Sequence, residues 1–425
     1  MTVLIIFLAA ILFLALTRVP FGFAMAGATV IGYLYAGISL DGLPQTVVLG
    51  LDSFGLLAIP CFILAGNLMS KGGISAALVD FVKIFLSRFR GSLGAITSIT
   101  SMIFGAISGS SVATVAAIGG IMTPEMEKDG YSKPYITALI ASSGFLGTLI
   151  PPSVPGLTYA LMAEQKVTQV WMSTLASGLL LGLTYCVINY IVYGRKQEKV
   201  RVQISSDMIK KSTPRALVAF IMPLIIFGGV YGGICTATEA GGLAVFYGLL
   251  AGWIIYPLLF KEKAPKLTHT LKDSMVSATN IGILLAFATG TGHLISLARV
   301  PDHIVEFMTS VTDSKIVFLL IMNIVLLIAG MIMECNVNVI LFTPIFLPLA
   351  QAYGVDPIHF GAIMLLNLEI GFITPPHAGN IFVGCRVTGC TMDQVLKPLA
   401  PFYIAAIAVL MLVTYVPAFP MLFVS

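Results

Sequence analysis

Two short polar runs interrupt otherwise apolar sequence: S-G-S-S from Ser108 to Ser111, and E-C-N-V-N from Glu334 to Asn338. Each is followed by a segment broken at a double proline, S-G-F-L-G-T-L-I-P-P-S from Ser143 to Ser153 and L-E-I-G-F-I-T-P-P-H from Leu368 to His377. Paired prolines supply no N–H donors and leave carbonyls of the preceding turn without partners. Together these stretches offer oxygens: the side chains of Ser108, Ser110, Ser111, Asn336, Asn338 and Thr374, and carbonyls near Gly147, Ile150, Gly371 and Pro375. Oxygen-only ligands suit a small hard cation, and Na⁺ is the natural candidate. Helix ends at such breaks also present positive dipole ends, which suit a carboxylate. Ser153, His377 and Asn380 follow the breaks and are placed to contact such a substrate, or to cap helices and bond across them. Arg299, at the end of an apolar run, is a possible counter-ion or a snorkelling interfacial residue. Glu334 stands where an ionisable group is costly, which marks it for an ion-site role or for bonding the amides of its own turn. Glu369, just before the second break, can serve either purpose.

The elements that must position these residues are set by composition. The chain has 425 residues, 58% hydrophobic and only 10% charged, against about 25% charged in soluble domains. A cytosolic enzyme, a disordered chain and a nucleic-acid binder are excluded, because the surface cannot be made polar enough. What remains is an all-α polytopic membrane protein. The charges concentrate in five windows, 71–90, 125–133, 195–215, 261–273 and 299–315. Between them lie uncharged runs such as 134–163, 167–194, 216–238, 240–260 and 274–298, each long enough to cross a bilayer at about 20 residues. Met1–Leu16 lacks a basic n-region and reads as a first span. The windows 71–90, 195–215 and 261–273 are rich in Lys and Arg, so all three belong on the cytoplasmic side, whereas 299–315 belongs on the periplasmic side.

Two uncharged regions do not fit simple spans. At about 1.5 Å per residue, a straight helix over 91–124 would be roughly 50 Å long, against a hydrocarbon core of about 30 Å. The run Gly105–Ser111 at its middle predicts a helical hairpin over about 92–124 instead. A second hairpin is predicted over about 316–353, with Glu334–Asn338 at its turn. The breaks fall at about 147–152 and 371–376. The result is an internal repeat: a first core at 53–163 and a second at 274–390, within one membrane unit of 1–425. Thr123-Pro124 pairs with Thr343-Pro344 at an offset of 220 residues, and the double prolines pair at 224. Five crossings between the hairpins make the repeats inverted, the recurring design of secondary transporters.

These motifs resemble a known family. D-S-F-G-L-L-A-I-P-C-F-I-L-A-G at 52–66, S-G-S-S-V-A-T-V-A-A-I-G at 108–119, L-I-P-P-S at 149–153, T-A-T-E-A at 236–240, D-P-I-H-F-G at 356–361 and I-T-P-P at 373–376 are similar to the large membrane subunit of tripartite ATP-independent periplasmic (TRAP) transporters. The resemblance covers nearly the whole chain. It implies a small membrane subunit and a soluble periplasmic substrate-binding protein as partners. It further implies Na⁺ coupling, an elevator mechanism and the bacterial inner membrane. Carried onto this chain, it implies a first sodium site at Ser108, Ser110 and Ser111 with Gly147, Ile150 and Pro152. The second is Glu334, Asn336 and Asn338 with Gly371, Thr374 and Pro375, and substrate lies between them. The chain departs from the family at Ala237, where Pro is common, and at Ala378, where Gly is usual.

The function expected is Na⁺-coupled import of a small organic carboxylate (a C4-dicarboxylate, sialic acid or a sugar acid) delivered by a binding protein. The alternative is a stand-alone Na⁺/anion carrier. No cofactor is expected, nor any metal beyond Na⁺, since the five His show no ligand spacing and the six Cys form no C-x-x-C pair. An intramembrane protease is disfavoured because A-I-S-G at 106–109 lacks the leading Gly and no H-E-x-x-H occurs. A channel is disfavoured because no selectivity-filter repeat is present.

Overall fold

The computed structural model describes residues 2–17, 19–89, 91–195, 206–261, 266–376 and 378–424. Much of the basic window 195–215, part of the window 261–273, and His377 lie outside the described residues. The described residues are helical, without strands.

The chain runs through α1 (Thr2–Leu16), α2 (Phe21–Tyr35), α3 (Leu43–Leu51), α4 (Ala58–Lys71), α5 (Ile74–Leu86), α6 (Ser92–Ser108) and α7 (Ser111–Lys128). It continues through α8 (Lys133–Gly144), α9 (Leu146–Leu149), α10 (Val154–Met162), α11 (Val167–Asn189), α12 (Ser206–Tyr231), α13 (Ala237–Leu250) and α14 (Tyr256–Phe260). The last third holds α15 (Leu267–Leu297), α16 (Val300–Val311), α17 (Lys315–Ile332), α18 (Cys335–Ala352), α19 (Pro357–Gly371), α20 (Gly379–Thr388) and α21 (Met392–Tyr415). Among the described residues eight helical stretches are long and apolar enough to span a bilayer. A ninth is the pair Lys133–Leu149 and Val154–Met162, bent by 45° at the first double proline. Many large apolar side chains on α1, α2, α12, α13 and α17, Phe13, Leu34, Leu224, Phe246 and Ile316 among them, face outward. That is the surface a lipid solvent requires. The chain is a multi-pass membrane protein.

Helices start and stop where local chemistry tells them to. Asp356 caps α19 by accepting the N–H of Ile358 at 2.8 Å and of His359 at 3.1 Å. Ser153 caps α10 by accepting Gly156 N–H at 3.2 Å, and Ser110 caps α7 by accepting Ala113 N–H at 3.3 Å. Glu239 forms a capping box with Thr236, accepting its N–H at 2.8 Å. That carboxylate serves the start of α13 and is exposed.

The two halves coincide at an offset of 224 residues. Helices α7 and α18 both have 18 residues and start 224 apart. Both end in the same turn: Gly130 and Gly354 have φ of +84° and +67°, the left-handed region that glycine enters without a Cβ penalty. The N–H of Tyr131 and of Val355 return to Met126 and Ala350 carbonyls at 3.0 and 2.9 Å. This register corrects the pairing of Thr123-Pro124 with Thr343-Pro344: Pro124 falls opposite Pro348, one helical turn further on. Equal helix length and equivalent caps fix the register, and a shared dipeptide does not. The bonds Pro151–Pro152 and Pro375–Pro376, again 224 apart, are both cis.

The halves interlock. Helix α10, after the first break, packs on α18, while α20, after the second, packs on α7 and α8; α11 packs on α19 and α21 on α8. Within each half one glycine pair lets two backbones cross. A Cβ on Gly330 would lie 2.7 Å from the Leu368 carbonyl oxygen and 3.0 Å from Gly371 Cα. In the first half Gly105 and Gly147 occupy the same crossing, where a Cβ on Gly147 would lie 2.9 Å from the Ser101 carbonyl oxygen. A buried hydroxyl pair, Ser98 and Ser143 at 3.0 Å, ties α6 to α8. Its counterpart ties α17 to α19 through Asn367 Nδ2 donating to Asn323 Oδ1 at 2.8 Å.

Candidate functional site

The interlocking brings the two turns, the first break and the end of α19 that precedes the second break around one cavity of about 400 Å³. Its wall is built from Ser108–Ala113 at the α6–α7 turn, Thr148, Val154 and Pro155 at the first break, Glu334 and Asn336 at the α17–α18 turn, and Glu369 on α19. Asn67 of α4 and Ser277 and Asn280 of α15 complete it.

The α6–α7 turn is held by its own polar groups. Gly109 has φ +62°, and Thr114 Oγ1 donates to the Ser110 carbonyl at 2.8 Å. Ser108 Oγ lies 3.2 Å from Thr114 Oγ1. The N-terminus of α7, with Ser110, Ser111, Val112 and Ala113, thereby faces the cavity, a favourable place for negative charge. At the opposite turn the Glu334 carboxylate stands at the head of α18 and accepts from Asn336 Nδ2 at 2.7 Å. Asn336 Oδ1 accepts from Thr158 of α10 at 3.4 Å, so the second turn is bonded to the helix that follows the first break.

Glu369 is the most buried acid of the wall, 2% exposed. Ser111, Thr148, Cys335 and the Glu334 carboxylate surround it, yet its Oε2 has no hydrogen-bond partner. Thr148 donates to the Phe145 carbonyl at 2.7 Å instead. Asn338 is fully buried; its Nδ2 donates to the carbonyls of Ala329 and Met333 at 3.2 and 2.9 Å. Those bonds close the end of α17, while its Oδ1 is left unpaired. Asn380 is arranged likewise, with Nδ2 donating to Ala141 at 3.3 Å and Oδ1 unpaired.

Of the residues expected from sequence, Ser108, Ser110, Ser111, Glu334 and Asn336 line the cavity. Gly147 and Gly371 stand behind it at the glycine crossings. Ile150, Pro152, Thr374 and Pro375 belong to the breaks, where Thr374 Oγ1 donates to the Ile370 carbonyl at 2.7 Å. Ser153 is off the cavity wall: it caps α10, and its carbonyl accepts Trp171 Nε1 at 3.0 Å. Arg299 stands apart from the cavity. Its side chain is 80% exposed and pairs with Asp302 at 3.1 Å, beside a separate surface hollow with His303 and Glu306. It starts α16 with φ +48°, so its role here is at a helix boundary. Asn67, Ser277 and Asn280 had not been singled out in the sequence. Each is a polar residue inside an apolar run, which is the signal that could have found them. Asn67 Nδ2 donates to Ser274 Oγ at 2.9 Å, fastening α4 to α15 beside the cavity. One turn further along α4, Lys71 pairs with Asp273, the residue before Ser274.

A bundle of two interlocked halves, with both turns gathered at one polar cavity, is the construction of a membrane permease. The chain matches the model of the DctM component of tripartite ATP-independent periplasmic transporters over residues 7–419 and belongs to that family. It is 37% identical over 412 residues to the uncharacterized protein YgiK of Salmonella typhimurium, covering 95% of this chain and 93% of that one. It is 36% identical to the C4-dicarboxylate TRAP transporter large permease protein DctM of Pseudomonas aeruginosa, over 86% of this chain and 85% of that one. It is also 36% identical to the isethionate TRAP transporter permease protein DctMQ of Oleidesulfovibrio alaskensis, over 95% of this chain but 64% of the longer relative. Among solved structures, the YdaH transporter of Alcanivorax borkumensis shares the fold with a TM-score of 0.59 at 15% identity, over 90% of this chain and 88% of that one. The chain is a permease subunit of the bacterial inner membrane and not an enzyme.

Proposed function

We propose that this permease imports a small organic acid by coupling it to inward Na⁺ movement, with the cavity between the two turns as the shared substrate site. The observation that carries this reading is the convergence of both turns, from opposite halves of the chain, on one wall of hydroxyl, amide and carboxylate oxygens. The buried unpaired oxygens Asn338 Oδ1 and Glu369 Oε2 are the kind of group a small hard cation satisfies. The first sodium site is formed by Ser108, Ser110 and Ser111 with the carbonyls of 147–152. The second is formed by Glu334, Asn336 and Asn338 with those of 371–376. The acid group of the substrate meets the N-terminus of α7. Each Na⁺ moved inward gains about 2.3 kcal/mol per 100 mV.

The relatives named for C4-dicarboxylate, isethionate, 2,3-diketo-L-gulonate and sialic acid transport support a small acid as substrate. They also support a small membrane subunit and a periplasmic binding protein as partners. The inverted halves then exchange access by sliding against the outer helices, with the basic windows 195–215 and 261–273 on the cytoplasmic side. The test is uptake of a radiolabelled acid by proteoliposomes holding the permease, its small subunit and its binding protein. Uptake that needs an inward Na⁺ gradient and all three components is expected. Uptake that ignores Na⁺ refutes the coupling, and uptake indifferent to the other two components indicates a stand-alone carrier.

A further inference from the structure

The cavity carries two carboxylates and, among the described residues, no Lys, Arg or His lines it. A plain dianion would enter against both. The repeat separates what the fold needs from what it does not. At the position of Glu369 the first half carries Phe145, 224 residues earlier and fully buried. The neighbouring pairs Ser143 with Asn367 and Gly147 with Gly371 keep the same structural jobs in both halves. An apolar side chain therefore satisfies this place just past the end of α8, and the acid in α19 is an addition. The addition is costly, because burial strips a carboxylate of its hydration, and the side chains of Ser111, Thr148 and Cys335 beside it make good only part of that loss. Its Oε2 has no partner within hydrogen-bond distance, on a side chain that borders the cavity beside Ser111 at the N-terminus of α7.

We propose that Glu369, beside the Glu334 of the second sodium site, holds a monovalent cationic group in this cavity in addition to the two break-centred sodium ions. The group is a further Na⁺ or the ammonium of a zwitterionic substrate; the chemistry is the same, one positive charge between two carboxylates. The inference deepens the reading above and rests on it for the location of the substrate. Glu369 then sorts ligands: an acid that also bears an ammonium is received, and its carboxylate end reaches Ser110 and Ser111.

The experiment uses the purified full chain in nanodiscs and follows its thermal unfolding midpoint. In the first arm NaCl replaces choline chloride at constant ionic strength. In the second, at saturating NaCl, two matched pairs are compared: succinate with L-aspartate, and isethionate with taurine. The proposal expects Glu369→Gln to raise the half-saturating Na⁺ concentration about tenfold, which assigns the group to Na⁺. Alternatively, wild type prefers the ammonium member of a pair and the variant does not, which assigns it to the substrate. If Glu369→Gln leaves both readings as in wild type, the proposal is overturned. Glu369→Phe, which installs the residue of the other half, is run beside it. Should neither variant yield folded protein, the acid is a structural requirement and the proposal is equally overturned. A wild type that ignores Na⁺ would refute the coupling proposed above, and the ammonium arm would still decide the role of Glu369.

Discussion

The two halves of this permease build the same scaffold and furnish it differently. Turn for turn, Ser110 stands where Glu334 does and Phe145 where Glu369 does. At its turn and break the first half offers the cavity hydroxyls and a helix N-terminus; the second, at its turn and on α19, offers two carboxylates and the Asn336 amide. The shared features are those that backbone geometry demands: the glycine crossings, the double prolines, and the left-handed glycines 130 and 354. The differing features are side chains on the cavity wall. Position within the fold is thus common property of the halves, and charge is what distinguishes them.

Breaking the common scaffold should have the largest effect. Gly330→Val forces a branched side chain into the backbone of Leu368 and Gly371. Overpacking of this kind costs about 1–3 kcal/mol or more. Thermal unfolding in detergent should show a clear loss of stability, and uptake should fall to background. Gly105→Val should do the same from the first half, and unequal losses would show that one crossing tolerates what the other cannot. Next comes the charge difference. Glu334→Gln should raise the Na⁺ concentration needed for half-maximal uptake by about tenfold, with little change in stability. Unchanged Na⁺ dependence would remove Glu334 from the ion site.

The counterpart change in the first half, Ser110→Ala, removes a helix cap worth about 1 kcal/mol. It should lower the unfolding midpoint by a few degrees and uptake by a smaller factor than Glu334→Gln does. If Ser110→Ala weakens Na⁺ dependence more strongly, the asymmetry drawn here is reversed. The smallest effect is expected at Arg299→Ala. An exposed ion pair contributes about 0–1 kcal/mol, so uptake and stability should both stay near wild type. A large loss of transport in that variant would return Arg299 to the substrate path.

Much of this was legible in the sequence because the bilayer is an exacting solvent. Ser108–Ser111 and Glu334–Asn338 stood out as polar runs in apolar surroundings, and both turns reach the cavity. The double prolines marked the breaks for the same reason. Less legible was anything that depended on register. Thr123-Pro124 and Thr343-Pro344 look like partners as dipeptides, yet Pro124 matches Pro348 because helix length and caps set the alignment. Ser153 and Asn338 were visible as polar residues, but their hydrogen bonds to nearby backbone could not be assigned before the helix ends were known. Asn67, Ser277 and Asn280 come from α4 and α15, far in sequence from both breaks. Only packing makes them part of the site.

The sequence by itself determined the solvent, the helical class, the two turns, the two breaks and the kinship, since each follows from local composition or from motif spacing. Tertiary structure alone decided that α10 packs on the second turn helix and α20 on the first, so that the halves meet at one cavity. It alone decided that Glu369 borders that cavity with one carboxylate oxygen unpaired while Arg299 stands exposed outside it. The reason is physical. Hydropathy and backbone propensity act over one helix, whereas the neighbours of a side chain are set by contacts between residues 178 and 239 positions apart.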